Sequence, residues 1–178
     1  MTGFYDVSAL GQLGRNLFHG CGYNFYRKEN QLRADDQKVR TLVCELLGQA
    51  QKAVAAAEGT IRRERIPPPT RANPFPPAEA VADAKRLERL RYAIIGLEGQ
   101  VRHAPVPEND RMTQRFREEA PTLEALIDKD TLLVGLAEAV RETLAGAAPG
   151  QILATWDEVD RGLVAITQTL AERRLLLV

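Results

Sequence analysis

Apolar residues return at every seventh position from Phe25 through Leu32, Val39 and Leu46 to Ala53. Seven residues make close to two turns of α-helix, so this spacing holds all five on one face. A strand, whose side chains alternate, would scatter them over both. Leu42 fills an intervening position, and Val43, Ala50 and Ala57 widen the stripe beyond a coiled-coil seam, as a helix within a bundle requires. Asn24 stands where its side-chain oxygen can accept from a free amide of the first turn. A helix of about 40 residues from there would run roughly 60 Å.

The run must end near Ile66. The segment IPPPTRANPFPP, residues 66–77, holds six of the ten prolines, each of which fixes φ and removes an amide donor. It reads as a semi-rigid connector between helices; a polyproline ligand for a partner domain is the alternative, carried by PFPP alone. A second helix is expected over about 78–103, where Leu87, Leu90, Ile94, Leu97 and Val101 step by three and four. Its other face carries Lys85, Arg86, Glu88, Arg89 and Arg91, and APVPEND (104–110) ends it. Met112 and Phe116 are the only large apolar residues of the charged stretch that follows, and Pro121 suits a kink or the first position of a new helix. Residues 122–146 carry Leu126, Leu133, Val140 and Leu144 with Ala137 beside them, and GAAPG closes the segment. The last stripe runs Ile152, Trp156, Val159, Leu163, Ile166 and Leu170, with Thr155 and Glu158 in the pattern of a capping box.

No segment alternates with period two, and no turn dipeptide joins β-rich runs. The expectation is an all-α fold: an antiparallel bundle of four main helices with a long first helical hairpin and an aromatic-rich N-terminal arm. Residues 1–23 form the arm or a short amphipathic helix, residues 24–178 the bundle, and 66–77 its connector. The length of 178 residues suits one domain with a real core.

Lys and Arg balance Asp and Glu at 24 each, which argues against nucleic-acid binding, since that affinity rests on neutralising phosphates. The balance is uneven along the chain. Residues 61–91 carry eight Lys/Arg against four Asp/Glu, and residues 118–160 carry ten Asp/Glu against two Lys/Arg. Segments of opposite sign can face each other within a monomer or steer association. No apolar run is long enough to span a membrane, no signal peptide is evident, and two cysteines make no disulfide framework. A cytoplasmic protein is expected.

Catalytic signatures are missing. GQLGRN and GCG lack the strand and lysine of a phosphate loop, and no GxSxG, HExxH, paired CxxC or Glu-x-x-His occurs. The candidate metal ligands are His19, Cys21, Cys44 and His103, a scattered set that matches no zinc spacing. A catalytic thiolate at Cys21 would need a base oriented beside it. Neither a metal nor a cofactor is expected. The pairs Asp35–Asp36, Glu118–Glu119 and Asp157–Glu158 read as solvated helix faces, because neighbouring helical residues diverge.

Six of the ten aromatics, Phe4, Tyr5, Phe18, Tyr23, Phe25 and Tyr26, fall in the first 26 residues, interleaved with Val7, Leu10, Leu13 and Leu17. So much apolar area must pack on its own bundle or dock on another chain. Arg15 is the only Lys or Arg among positions 1–26, which argues against a membrane-surface anchor. The function expected is that of a non-enzymatic interaction or assembly protein, a self-associating adaptor or accessory factor whose partners are proteins, itself included. Phe4, Tyr5, Leu10, Leu13, Leu17, Phe18, Tyr23, Tyr26, Leu176 and Leu177 are the interface candidates. The alternative is a ligand- or metal-binding bundle, possibly an enzyme, with its site near His19, Cys21 and Tyr23.

Overall fold

The computed structural model describes residues 6–20, 32–104 and 120–176, with side chains at 6–18, 36–104 and 125–176. Within these residues the fold is all-α, with helices α1 (Val7–Gly20), α2 (Leu32–Arg65), α3 (Ala78–Arg102), α4 (Ala120–Leu144), α5 (Pro149–Ala154) and α6 (Trp156–Leu176). Among the described residues there are six helices, where four main ones and an N-terminal arm or short amphipathic helix are expected. The N-terminal segment takes the helical form, capped where Asp6 Oδ1 accepts from the amide of Ala9 at 3.0 Å. The last stripe is broken at Thr155, whose hydroxyl donates to the carbonyls of Gln151 (3.0 Å) and Ile152 (3.3 Å). Thr155 therefore forms no capping box with Glu158; the side chain reaching back is Gln151, whose Oε1 accepts from the amide of Ala148 at 2.9 Å and opens α5.

Helix α2 ends at Arg65 because Pro67 drives Ile66 out of the helical region. After the connector, α3 runs back along α2, and Leu87, Leu90, Ile94, Leu97 and Val101 are all buried as expected. On α2 the core stripe is rotated and broader than the heptad reading. Val39, Val43, Leu46, Leu47, Ala50, Val54, Ala57 and Ile61 are buried, whereas Ala53 is only half-buried. The reason is that α2 packs against both α3 and α4. Helix α4 ends at Leu144, and Gly146 in the turn that follows has a φ of 67°, a conformation that side chains disfavour. Asn24, Phe25, Met112 and Phe116 lie outside the described residues.

The centre of the fold is α4. Every residue from Leu133 to Val140 is buried, as suits a helix that is apolar almost all round. Helix α1 crosses it with backbone against backbone. A Cβ on Gly14 would lie 2.0 Å from the carbonyl oxygen of Thr131, and one on Gly135 would lie 2.1 Å from that of Leu10. The two contacts are reciprocal and antiparallel, and only hydrogen at both positions allows them. They also turn α1 so that Leu10, Gly14 and Phe18 are its buried line, while Leu13 and Leu17 are half-buried and Val7 is exposed. Among the described residues, no helix is long and apolar enough to cross a membrane.

Gly14→Ala and Gly135→Ala are each expected to cost about 2–3 kcal/mol or more by forcing the helices apart, a fall in Tm of roughly 4–10 °C. Gly96→Ala, on α3 with nothing within 4 Å of the added Cβ, is expected to raise stability by up to about 1 kcal/mol. Thermal unfolding followed by circular dichroism checks both.

Candidate functional site

Two places concentrate polar or exposed groups, one at each end of the bundle. At the first, the start of α2, the end of α3, the first half of α4 and the end of α6 meet around four charged side chains. Arg173 of α6 donates from Nε to Asp130 Oδ1 of α4 and from Nη2 to Asp36 Oδ1 of α2, the latter at 2.6 Å. Arg40, one turn after Asp36, places Nη2 at 2.6 Å from Asp36 Oδ2 and donates from Nη1 to the Ala104 carbonyl at 2.8 Å. The Asp36–Arg40 contact lies off the hydrogen-bonding direction, so Oδ2 accepts no hydrogen bond among the described residues. Asp36, Asp130 and Arg173 are 1%, 0% and 3% exposed.

This corrects the reading of Asp36 as part of a solvated pair. The signal was present in the register. Asp36 stands three residues before Val39, Asp130 three before Leu133, and Arg173 three after Leu170, so each occupies a stripe position of its own helix. Two carboxylates and two guanidiniums meet here and tie the helices together. Lys129 and Glu172, at 2.6 Å, join the same two helices at the surface. Of the other acidic pairs, Asp157 is exposed and Glu158 half-buried, and Glu118–Glu119 lies outside the described residues.

The second place is the tip of the α2–α3 hairpin. There Arg65 pairs with Asp83 at 2.7 Å, and Arg62 with Glu58 at 2.7 Å. The connector is shaped by a turn in which the Thr70 hydroxyl accepts from the Asn73 amide at 3.1 Å and the Thr70 amide donates to the Asn73 carbonyl at 3.0 Å. Residues 67–77 are exposed throughout, and Phe75 at 86% is the most exposed large apolar residue described. About two turns into α3, the Arg86 guanidinium lies over the Trp156 ring at 5.4 Å, which holds the α5–α6 junction against α3. A cleft of about 420 Å³ opens at that junction, between Glu142 and Thr143 of α4, the turn Ala145–Ala147, and Gln151 and Ala154 of α5.

The sequence candidates are dispersed. His19 lies in the last turn of α1, with its side chain outside those described; Phe4, Tyr5, Cys21, Tyr23, Tyr26 and Leu177 lie outside the described residues. Cys44 is half-buried on α2, its thiol 3.7 Å from the Glu98 carbonyl, and His103 is exposed at the C-terminal cap of α3. Among the described residues no group of three or more His, Cys, Asp or Glu is placed to hold a metal ion. Leu10 and Phe18 are buried within their own chain, while Leu176 is half-buried and Leu175 exposed at the end of α6.

Burial pushes the Cys44 thiol above its ordinary pKa, with the neighbouring Arg102 guanidinium opposing. A raised pKa means less thiolate at neutral pH, so in a Cys21→Ser background Cys44 is expected to alkylate several-fold more slowly folded than in denaturant. Arg173→Ala leaves two buried carboxylates without their shared partner and is expected to cost about 3–5 kcal/mol in denaturant unfolding, against under about 1 kcal/mol for Lys129→Ala. Comparison with protein-family models, with curated proteins and with solved structures finds no match to this chain.

Proposed function

We propose that this chain is a non-enzymatic interaction and assembly protein, a self-associating adaptor or accessory factor of a larger complex. The observation that carries the reading is the Phe75 tip. A single exposed apolar side chain is ordinary on a soluble domain, but here a phenyl ring stands with Pro74, Pro76 and Pro77 in one exposed run. Tyr92 stands exposed on the same hairpin, with the Arg91 guanidinium 6.0 Å from its ring. Aromatic residues with arginine beside them are the side chains that anchor protein interfaces.

The buried charged groups support the same reading. Asp36, Asp130 and Arg173 hold one helix to another, and Glu138 is held within α4 by a two-pronged contact from Arg141 at 2.5 and 2.6 Å. These groups serve the scaffold, and the exposed aromatic tip is what the scaffold presents. Sedimentation velocity over the micromolar range is expected to show a species larger than the monomer; a single monomeric boundary at every concentration overturns the self-association.

A further inference from the structure

The α2–α3 connector is longer than its task and does not pack. Twelve residues, 66–77, join helices that a loop of about two to eight would join. Every residue from Pro67 to Pro77 is exposed, and the carbonyls of Pro74, Phe75 and Pro76 accept no hydrogen bond among the described residues. Nine of the twelve are prolines, whose φ is fixed, or stand directly before one, which keeps them extended. Pro77 itself has φ −57° and ψ 124°, beside the polyproline II values. Within this run Arg71, Pro74 and Pro77 step by three. A polyproline II helix turns once in three residues, so the spacing sets all three along one edge. Asn73 and Pro76 line a second edge, Ala72 and Phe75 the third. Arg71 makes no ion pair among the described residues, whereas Arg62 and Arg65 of the same hairpin are paired with Glu58 and Asp83.

We propose that residues 71–77, RANPFPP, dock as a polyproline II ligand in an SH3-type groove of a separate protein. Such a groove supplies aromatic rings that take Pro74 and Pro77, donors for the free carbonyls, and a carboxylate for Arg71. The proposal rests on the interaction reading put forward above and names the partner's chemistry. The described surface of this chain offers no such groove to a second copy. Of its aromatic side chains Phe18 is buried, Trp156 lies under Arg86, and Tyr92 stands about four turns along α3 from Phe75, so no two rings form a slot. The free connector is bent at Arg71–Ala72 and at Phe75, and docking straightens it. Both bends lie in exposed backbone, so no packing is lost; the first gives up the Thr70–Asn73 hydrogen bonds.

The test is biolayer interferometry of the full chain against a set of immobilised SH3 domains that prefer arginine-first ligands, comparing wild type with Pro74→Ala, Arg71→Glu and Phe75→Ala. All three positions are exposed, so unchanged thermal unfolding serves as the folding control. Wild type is expected to bind at least one domain in the micromolar range. Pro74→Ala and Arg71→Glu are expected to lose roughly ten-fold or more in affinity, and Phe75→Ala, on the outward edge, less than about three-fold. Absence of binding to every domain overturns the proposal, as does binding that Pro74→Ala leaves unchanged. Binding that high salt and Arg71→Glu abolish but Pro74→Ala spares also overturns it, since the hairpin then recognises negative charge alone. Sedimentation velocity separates this outcome from the reading beneath it. Self-association without SH3 binding overturns the connector's role alone, a monomer that binds SH3 overturns self-association alone, and self-association lost in Pro74→Ala makes a second copy the occupant and overturns the proposal.

Discussion

Arg173 is the point at which the bundle is tied. One guanidinium reaches Asp36 of α2 and Asp130 of α4 from α6, and through Arg40 the set extends to the carbonyl of Ala104 past the end of α3. Apolar stripes are tolerant of sliding, since a helix moved by one turn meets much the same surface. A charged set of this kind is not, because a shift of one turn would leave a buried carboxylate without its partner, at a cost of several kcal/mol. The four main helices are therefore held in one register at this end.

Their spacing is governed elsewhere. Where α1 crosses α4, Gly14 and Gly135 bring two backbones into contact, and this closeness lets a short helix bury Leu10 and Phe18 completely. Helix α4 then has apolar neighbours through its middle turns, and its single charge there, Glu138, is matched by Arg141 within the helix. The charge set fixes how the helices align, and the glycine crossing fixes how near one of them comes.

Much of this was legible in the sequence. A helix over about 78–103 and five of the seven residues that α3 buries follow from spacing alone, and the prolines put the end of α2 near Ile66, one residue past where it falls. What was not legible had two physical sources. Charged residues read as solvated, so Asp36, Asp130 and Arg173 were left off the stripes they in fact continue. Glycines in a helix read as weak helix formers, so Gly14 and Gly135 gave no hint that they face one another across a crossing. Pairing between distant segments is a tertiary property, and neither member of such a pair announces the other. The candidate site was legible only in outline: the proline-rich connector stood out, but the docking of the α5–α6 junction on α3 depends on Arg86 meeting Trp156, 70 residues on.

The connector has a thermodynamic consequence as well as a geometric one. Three prolines flank Phe75 within residues 74–77, and the Thr70–Asn73 turn closes the loop upstream. A ring carried on such a segment has few conformations to surrender. Ordering a loop on contact commonly absorbs a share of the interaction energy, and here most of that entropy is already given up when the chain folds. Any contact made through this tip would therefore give up less entropy than one made through a flexible loop of the same area.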